Sequence, residues 1–243
     1  SCPHCLDACD VMCGCGASAG FGPNDQAQIA SFLPSRSCLE PLMPELAVHY
    51  RLDETAGNTA NDSGPHGRFG VLAAGTSPGV PGSQPVPNLA AGFDGVDDHV
   101  AIAAGPGLDG LANAVSVVAW LRPRSVGGWR RIFGDDASWS FGLIGDRPGV
   151  TVRGVRSYIS NLHVRQGVWQ QLAVTLDPSD GAVFYVDGVR REAIAGGASF
   201  PATGANWFLG AGGSNREFFA GEIDDVQAYR GVLRDHHVAA LFA

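Results

Sequence analysis

The sequence contains no lysine, and its 16 basic residues are all arginine, placed singly or in pairs such as Arg130 and Arg131. Because 24 acidic residues give a net charge of −8, the chain offers no basic surface for nucleic acid. Without lysine, a phosphate-binding loop of the kind that requires one is excluded. No apolar run of about 18 residues occurs, so no membrane-spanning helix is predicted.

Cysteine is absent after Cys38. The six cysteines lie at Cys2, Cys5, Cys9, Cys13, Cys15 and Cys38. The even number, in a chain that starts at Ser1 without a basic and apolar leader, favours disulfides in a processed protein that is secreted or displayed at the cell surface. A metal site is the alternative for these thiols. Residues 1–45 are therefore predicted to form a Cys-rich N-terminal arm.

The sequence pattern changes at Leu46. From there, short apolar runs alternate with Gly, Asp and Pro about every ten residues, as in β-sandwiches and jelly rolls. Strands are predicted at, among others, 46–53, 115–123, 169–177, 181–187 and 219–230, and a closing helix at 233–242. A twisted sheet of more than about ten strands splits into two packed layers. The expectation for residues 46–243 is an all-β sandwich of two antiparallel sheets.

Five segments in order resemble the concanavalin A-like lectin/glucanase superfamily, and specifically its laminin G-like modules. They are HYRLDETAGNTANDSGPHGRFG, AAGFDGVDDHVAI, VSVVAWLRP, WQQLAVTLDPSDGAVFYVDG and FFAGEIDDVQAYRGVL. The resemblance covers residues 46–243 and implies a jelly roll, frequently with a structural Ca²⁺, that binds glycans or proteins. The arm has no counterpart in this pattern.

The closing strand raises the question of where its two aspartates point. If the alternation set by Val226 and Ala228 continues, Asp224 lies on their side and needs a partner there. The family pattern suggests Ca²⁺, held by Asp224 and Asp225 together with Asp53 and Asp62, since hard cations take oxygen ligands. The alternative is a β-bulge between Ile223 and Val226, with both aspartates in solvent.

The same strand also resembles the ExDxxE run of laminarinase-type glycosidases. Gln227 replaces the third acid of that run, and an amide can neither protonate a leaving group nor ionise. A retaining mechanism needs two carboxylates about 5 Å apart, which this run does not supply. The sequence thus predicts no enzyme, and glycosidase activity is the remote alternative.

Aromatic side chains near loops or strand ends are the candidate ligand contacts, as in lectins. They are Trp129, Trp139, Tyr158 and Trp207. Because large aromatics are more often buried, Trp120 and Trp169 are expected in the core.

Two functions follow from the sequence. The domain favours a non-catalytic adhesion or recognition module that binds a glycan or an extracellular protein. The cysteines favour a structural subunit that assembles with copies of itself into a disulfide-linked filament, sheath or coat. Neither function involves nucleic acid or a membrane span.

Overall fold

The structure, a computed structural model, describes residues 43–85, 87–203, 206–212 and 216–243. The chain divides into two units, Ser1–Met43 and Pro44–Ala243, and the second contains the elements described below. All six cysteines lie outside the described residues, so the predicted disulfides and the predicted arm stay predictions.

Sixteen strands and one helix are assigned in the described residues. The strands are β1 Glu45–Tyr50, β2 Thr59–Ala60, β3 Gly70–Ala73, β4 Ser77–Pro81, β5 Leu89–Asp94, β6 His99–Ala103, β7 Val115–Pro123, β8 Trp129–Asp135, β9 Trp139–Ile144, β10 Arg147–Val152, β11 Arg156–Ile159, β12 Gln170–Asp177, β13 Gly181–Val186, β14 Val189–Ala195, β15 Asn206–Leu209 and β16 Ala220–Arg230, and the helix α1 is Asp235–Phe242. That helix is too short to cross a bilayer, and none of the described residues forms a longer apolar one.

The strands form two antiparallel sheets, which confirms the predicted two-sheet sandwich. The first sheet has the order β14-β13-β12-β7-β16-β5-β4, with β1 paired to the second half of β16. The second sheet has the order β11-β10-β9-β8-β15-β6-β3-β2. Between β13 and β14, Asp187 and Gly188 both have positive φ, as a type I′ hairpin turn requires.

An aromatic cluster between the sheets forms the centre of the core. Trp139, Trp207 and Phe133 lie with their ring centroids 5.5 to 6.2 Å apart. Trp139 Nε1 donates to the Leu111 carbonyl over 2.6 Å, and the Tyr158 hydroxyl donates to the Gly196 carbonyl. Trp139, Trp207 and Tyr158 are fully buried, so their prediction as ligand contacts is wrong. Burial of their large apolar area outweighs exposure of one polar atom each.

A second apolar cluster covers the outer face of the first sheet. Tyr185 and Tyr229 contact Leu233 and Val238 there, with Val238 the buried anchor of α1. The Tyr185 hydroxyl donates to Asp235 at the start of the helix over 2.9 Å. The predicted closing helix is thus confirmed, and the first sheet has an apolar cluster on each face.

A β-bulge interrupts β16 where the sequence left two alternatives. The register shifts between Asp224 and Gln227, and both Ile223 and Val226 pack in the core. Asp224 is opposite Trp120 in the register, and opposite residues share a face, so its side chain lies on the outer face of the first sheet. Placing it on the side of Val226 was wrong because the bulge inserts Asp225, with φ 49°, into the alternation.

Candidate functional site

A pocket of about 450 Å³ opens on the outer face of the first sheet, next to the bulge. Most of its lining residues are polar. They are His49, Arg51, Asp53, Ser83, Gln84, Asn88, Trp120, Asp224 and Asp225, with Leu241, Phe242 and Ala243 of the C-terminal segment. The pocket thus brings together β1, β7, β16, the loop after β4 and α1, which are far apart in the sequence.

Asp224 is the buried carboxylate of this pocket, with none of its surface exposed. Its Oδ2 accepts two hydrogen bonds from Ser83, from the backbone N–H over 2.9 Å and from the hydroxyl over 2.8 Å. Its Oδ1 is buried and has no partner among the described residues. Burial raises the pKa of Asp224 to about 6 against the two Ser83 bonds, and the negative charges of Asp225 and Asp53 add to the rise.

Asp225 projects from the bulge and ends a chain of hydrogen bonds. Its Oδ1 pairs with His49 Nε2, and its Oδ2 accepts from Gln227 Nε2 over 3.2 Å. The Tyr229 hydroxyl donates to the other end of the Gln227 amide. These bonds hold the imidazole and the carboxylate in fixed positions at the pocket wall.

The loop between β4 and β5 supplies the opposite wall. Asp53 Oδ1 accepts the Leu89 N–H over 2.9 Å, and Asn88 Oδ1 accepts the Gln84 N–H over 2.8 Å. A side chain at Gly82 would meet Asn88 Oδ1 at 2.1 Å, so this tight loop requires glycine there. The sequence does not reveal this wall, because Ser83 of the loop and its partner Asp224 on β16 are 141 positions apart.

Trp120 provides the aromatic part of the pocket. Its ring stacks on Phe242 of α1, with centroids 5.5 Å apart and planes 22° from parallel. Phe242 fits there because Gly188 has no side chain, since a Cβ would lie 2.7 Å from Phe242 Cβ. The expectation that Trp120 belongs to the core therefore missed its place beneath α1. Trp169, also expected in the core, is half-buried with Arg122 over its ring at 5.3 Å.

Trp129 is the one predicted ligand-contact aromatic that is not fully buried. The Arg131 guanidinium lies 4.6 Å from its ring centroid, on β8 of the second sheet and outside the pocket. A ligand contact by Trp129 stays a prediction.

The four carboxylates predicted to bind Ca²⁺ are only partly brought together. Asp53, Asp224 and Asp225 line the pocket. Asp62 instead fixes the loop after β2, with Oδ1 accepting the N–H groups of His49 and Gly64 and Oδ2 accepting that of Arg68. Asp62 does not line the pocket, so the pocket brings together three of the four predicted ligands. Calcium binding by the protein stays a prediction.

The acids of the ExDxxE-like run are used in other contacts. Glu222 is ion-paired with Arg122 at 2.9 Å and with Arg124 at 3.6 Å. Gln227 donates to Asp225 and accepts from Tyr229. The run therefore supports the fold and the pocket wall, as hydrogen bonds and ion pairs.

The two antiparallel sheets define the class as an all-β jelly-roll domain. A family model of laminin G-like domains in the concanavalin A-like lectin/glucanases superfamily matches residues 94–239, more than half of the chain. The chain belongs to this superfamily, which confirms the resemblance. The comparison with curated proteins found no match.

Solved structures with the same fold are distant in sequence. Domain 4 of AbnA, a GH43 extracellular arabinanase from Geobacillus stearothermophilus, was solved with arabinotriose and is 21% identical, with a TM-score of 0.62 over 83% of this chain and all of that one. The binding domain of botulinum neurotoxin serotype G is 12% identical, with a TM-score of 0.64 over 82% of this chain. The binding domain of Paraclostridial Mosquitocidal Protein 1 is 13% identical, with the same TM-score. This chain spans about half the length of the two toxin domains, and these likenesses concern the fold.

Proposed function

We propose that this protein is a non-catalytic binding module that takes a neutral oligosaccharide into the pocket beside the β16 bulge. The observation that carries the proposal is the unpartnered Oδ1 of Asp224, buried beside a cavity of about 450 Å³. A buried acceptor without a donor costs free energy, and a ligand that donates to it recovers that cost.

Sugar hydroxyls are suitable donors, since each can both donate and accept. In addition to Asp224, the pocket offers the carboxylates of Asp53 and Asp225 as acceptors and the Arg51 guanidinium as a donor. Pockets that select a polar ligand combine a few such fixed groups with apolar contact area, which Trp120 and Phe242 supply.

The charge of the pocket supports a neutral ligand. Three aspartates face one arginine and one histidine, so a sugar that carries a carboxylate is repelled unless it binds at the Arg51 side. Among proteins of similar fold, the arabinanase domain was solved with the neutral arabinotriose, whereas a neurotoxin DC binding domain was solved with SialylT. The acidic lining supports a ligand like the former.

Binding without catalysis is part of the proposal. Glu222 is engaged by two arginines and Gln227 cannot ionise, so the run in β16 supports ligand contact rather than hydrolysis. A secreted or cell-surface location agrees with an extracellular glycan as partner and is proposed with it.

The test is a glycan array followed by calorimetric titration of the full chain, with neutral oligosaccharides including arabinotriose against sialylated ones. We expect neutral glycans to bind, and Asp224→Asn to weaken binding at least tenfold by turning an acceptor into a mixed donor and acceptor. Asp180→Asn, in the exposed β12–β13 turn outside the pocket, is the matched control and leaves affinity unchanged. Absence of any neutral ligand, or binding indifferent to Asp224, would overturn the proposal.

The disulfide-linked structural subunit remains a separate prediction, because its cysteines lie outside the described residues. Electrophoresis of native material with and without reductant tests it: ladders that collapse on reduction support assembly, and a monomer under both conditions contradicts it.

A further inference from the structure

The turn between β5 and β6 concentrates three carboxylates. Asp94, Asp97 and Asp98 each place one carboxylate oxygen so that the three oxygens lie within 4.8 Å of one another. Within the described residues this is the group of at least three acidic, histidine or cysteine side chains that meets such spacing. The residues belong to the segment FDGVDDHV, which is part of the family resemblance.

Backbone N–H groups of this turn donate hydrogen bonds to some of the carboxylate oxygens, and one buried oxygen has no hydrogen-bond partner. Asp94 Oδ1 accepts the N–H of Val96 over 2.7 Å, and Asp98 Oδ2 accepts the N–H of Asp94 over 2.8 Å. Asp98 is 4% exposed, and its Oδ1 is buried without a partner. The turn therefore supplies a hydrogen-bond donor for Oδ2 of Asp98 and none for Oδ1.

A glycine lies close to this buried oxygen. Gly75 approaches Asp98 from the β3–β4 connection, and a Cβ there would lie 3.2 Å from Asp98 Oδ1. Arg124, the basic group that acts on Asp94, is directed to the Phe93 carbonyl at 3.4 Å and to Glu222 at 3.6 Å. The other basic neighbour of Asp98 is the adjacent His99, whose Nδ1 is bonded to the Asp97 carbonyl over 2.8 Å.

From this arrangement we infer a calcium site formed by Asp94, Asp97 and Asp98. Ca²⁺ binds oxygen ligands at about 2.3–2.6 Å, so opposite ligands in its shell are about 4.6–5.2 Å apart. The three oxygens of this cluster, all within 4.8 Å of one another, can lie in one such shell. Mg²⁺, with bonds of about 2.0–2.1 Å, needs opposite ligands within about 4.2 Å and a more regular shell. Oxygen-only donors with flexible spacing favour calcium over magnesium and over softer metals.

The position of the turn indicates a structural role for the ion. Asp94 ends β5 in the first sheet and His99 begins β6 in the second, so residues 95–98 carry the chain from one sheet to the other. A cation there neutralises the repulsion among three carboxylates and ties the two sheets at this corner. The inference is independent of the pocket and of the proposed function.

Thermal melting and calorimetric titration of the full chain, freed of metal with EGTA and dialysed, test the site with CaCl₂ against MgCl₂. We expect Ca²⁺ to raise Tm and to bind at least tenfold more tightly than Mg²⁺. Asp97→Asn, at an exposed position that leaves the buried Asp98 intact, weakens calcium binding at least tenfold and removes the rise in Tm. Asp109→Asn, an exposed aspartate in another turn, leaves both unchanged.

A second variant separates this site from the carboxylates first predicted to bind calcium. Asp53→Asn alters the pocket and leaves the β5–β6 turn intact, so calcium affinity stays at the wild-type value. Calcium binding that survives Asp97→Asn but is lost in Asp53→Asn overturns the inference, as does the absence of any calcium effect.

Discussion

Two pairs of adjacent aspartates show the same pattern of burial and hydrogen bonding. They are Asp97–Asp98 in the β5–β6 turn and Asp224–Asp225 in the β16 bulge. In each pair one carboxylate is buried, with one oxygen held by a backbone N–H and the other unpartnered. The other member of each pair is more exposed. In both, burial is the main cause that raises the pKa of the buried acid.

The surroundings of the two pairs differ. The turn folds back on itself and brings a third carboxylate, Asp94, within 4.8 Å, which creates a dense negative charge. The bulge pushes Asp225 away into a bond with His49 and leaves Asp224 beside an open pocket with Arg51. The same dipeptide therefore suits a cation in one place and a hydroxylated ligand in the other.

The largest effect is expected in the aromatic cluster of the core, away from both aspartate pairs. Trp139→Ala should lower the free energy of unfolding by about 3–5 kcal/mol, because a fully buried indole is replaced by a cavity. Trp129→Ala, at a half-buried position, should cost about 1 kcal/mol or less. Urea denaturation followed by fluorescence measures both, and equal costs would contradict the assignment of Trp139 to the core.

The buried acid of the bulge predicts a pH dependence. Its pKa is about 6 in the folded state against 3.8 unfolded, so ionising Asp224 opposes folding. Its contribution to stability is most favourable below about pH 4 and falls as the pH rises through 6, by on the order of 2–3 kcal/mol. Unfolding midpoints at pH 4.5 and 7.5 should show Asp224→Asn more stable than wild type at the higher pH, with little difference at the lower. Asp180→Asn should keep the wild-type slope, and a flat wild-type difference would contradict the raised pKa.

The smallest effect is expected for the Ser83 hydroxyl, which donates to the buried acid of the bulge. Ser83→Ala removes the hydroxyl bond to Asp224 Oδ2 and leaves the backbone bond, so it should cost about 1–2 kcal/mol at pH 7. The cost should shrink near pH 4, where the carboxyl is neutral. Ser179→Ala in the exposed β12–β13 turn is the control, and a pH-independent loss would show that Ser83 acts through packing alone.

Local sequence signals predicted much of the fold. The predicted strand 115–123 coincides with β7, and the Asp187–Gly188 dipeptide forms the expected turn because glycine and aspartate tolerate positive φ. The spacing of Ile223 and Val226 indicated the bulge, whereas the alternation of Val226 and Ala228 predicted a regular strand.

The pocket could not be predicted from the sequence because its contacts are long-range. Nothing near Asp224 in the sequence indicates Ser83, which caps it from a loop on another strand. Likewise, Trp120 and Trp139 lie in similar strand patterns, yet one is covered by α1 and the other by the opposite sheet. The identity of the covering element decides which aromatic borders a pocket, and periodicity does not contain that information.

The stacking of Phe242 on Trp120 makes the pocket conditional on a docked helix. α1 has eight residues, and Val238 is its buried one. A ligand finds a complete pocket only in the fraction of molecules in which α1 is in place, so the measured affinity is the intrinsic affinity multiplied by that fraction. Substitutions on the far side of α1 that loosen the helix would therefore weaken binding without touching the ligand.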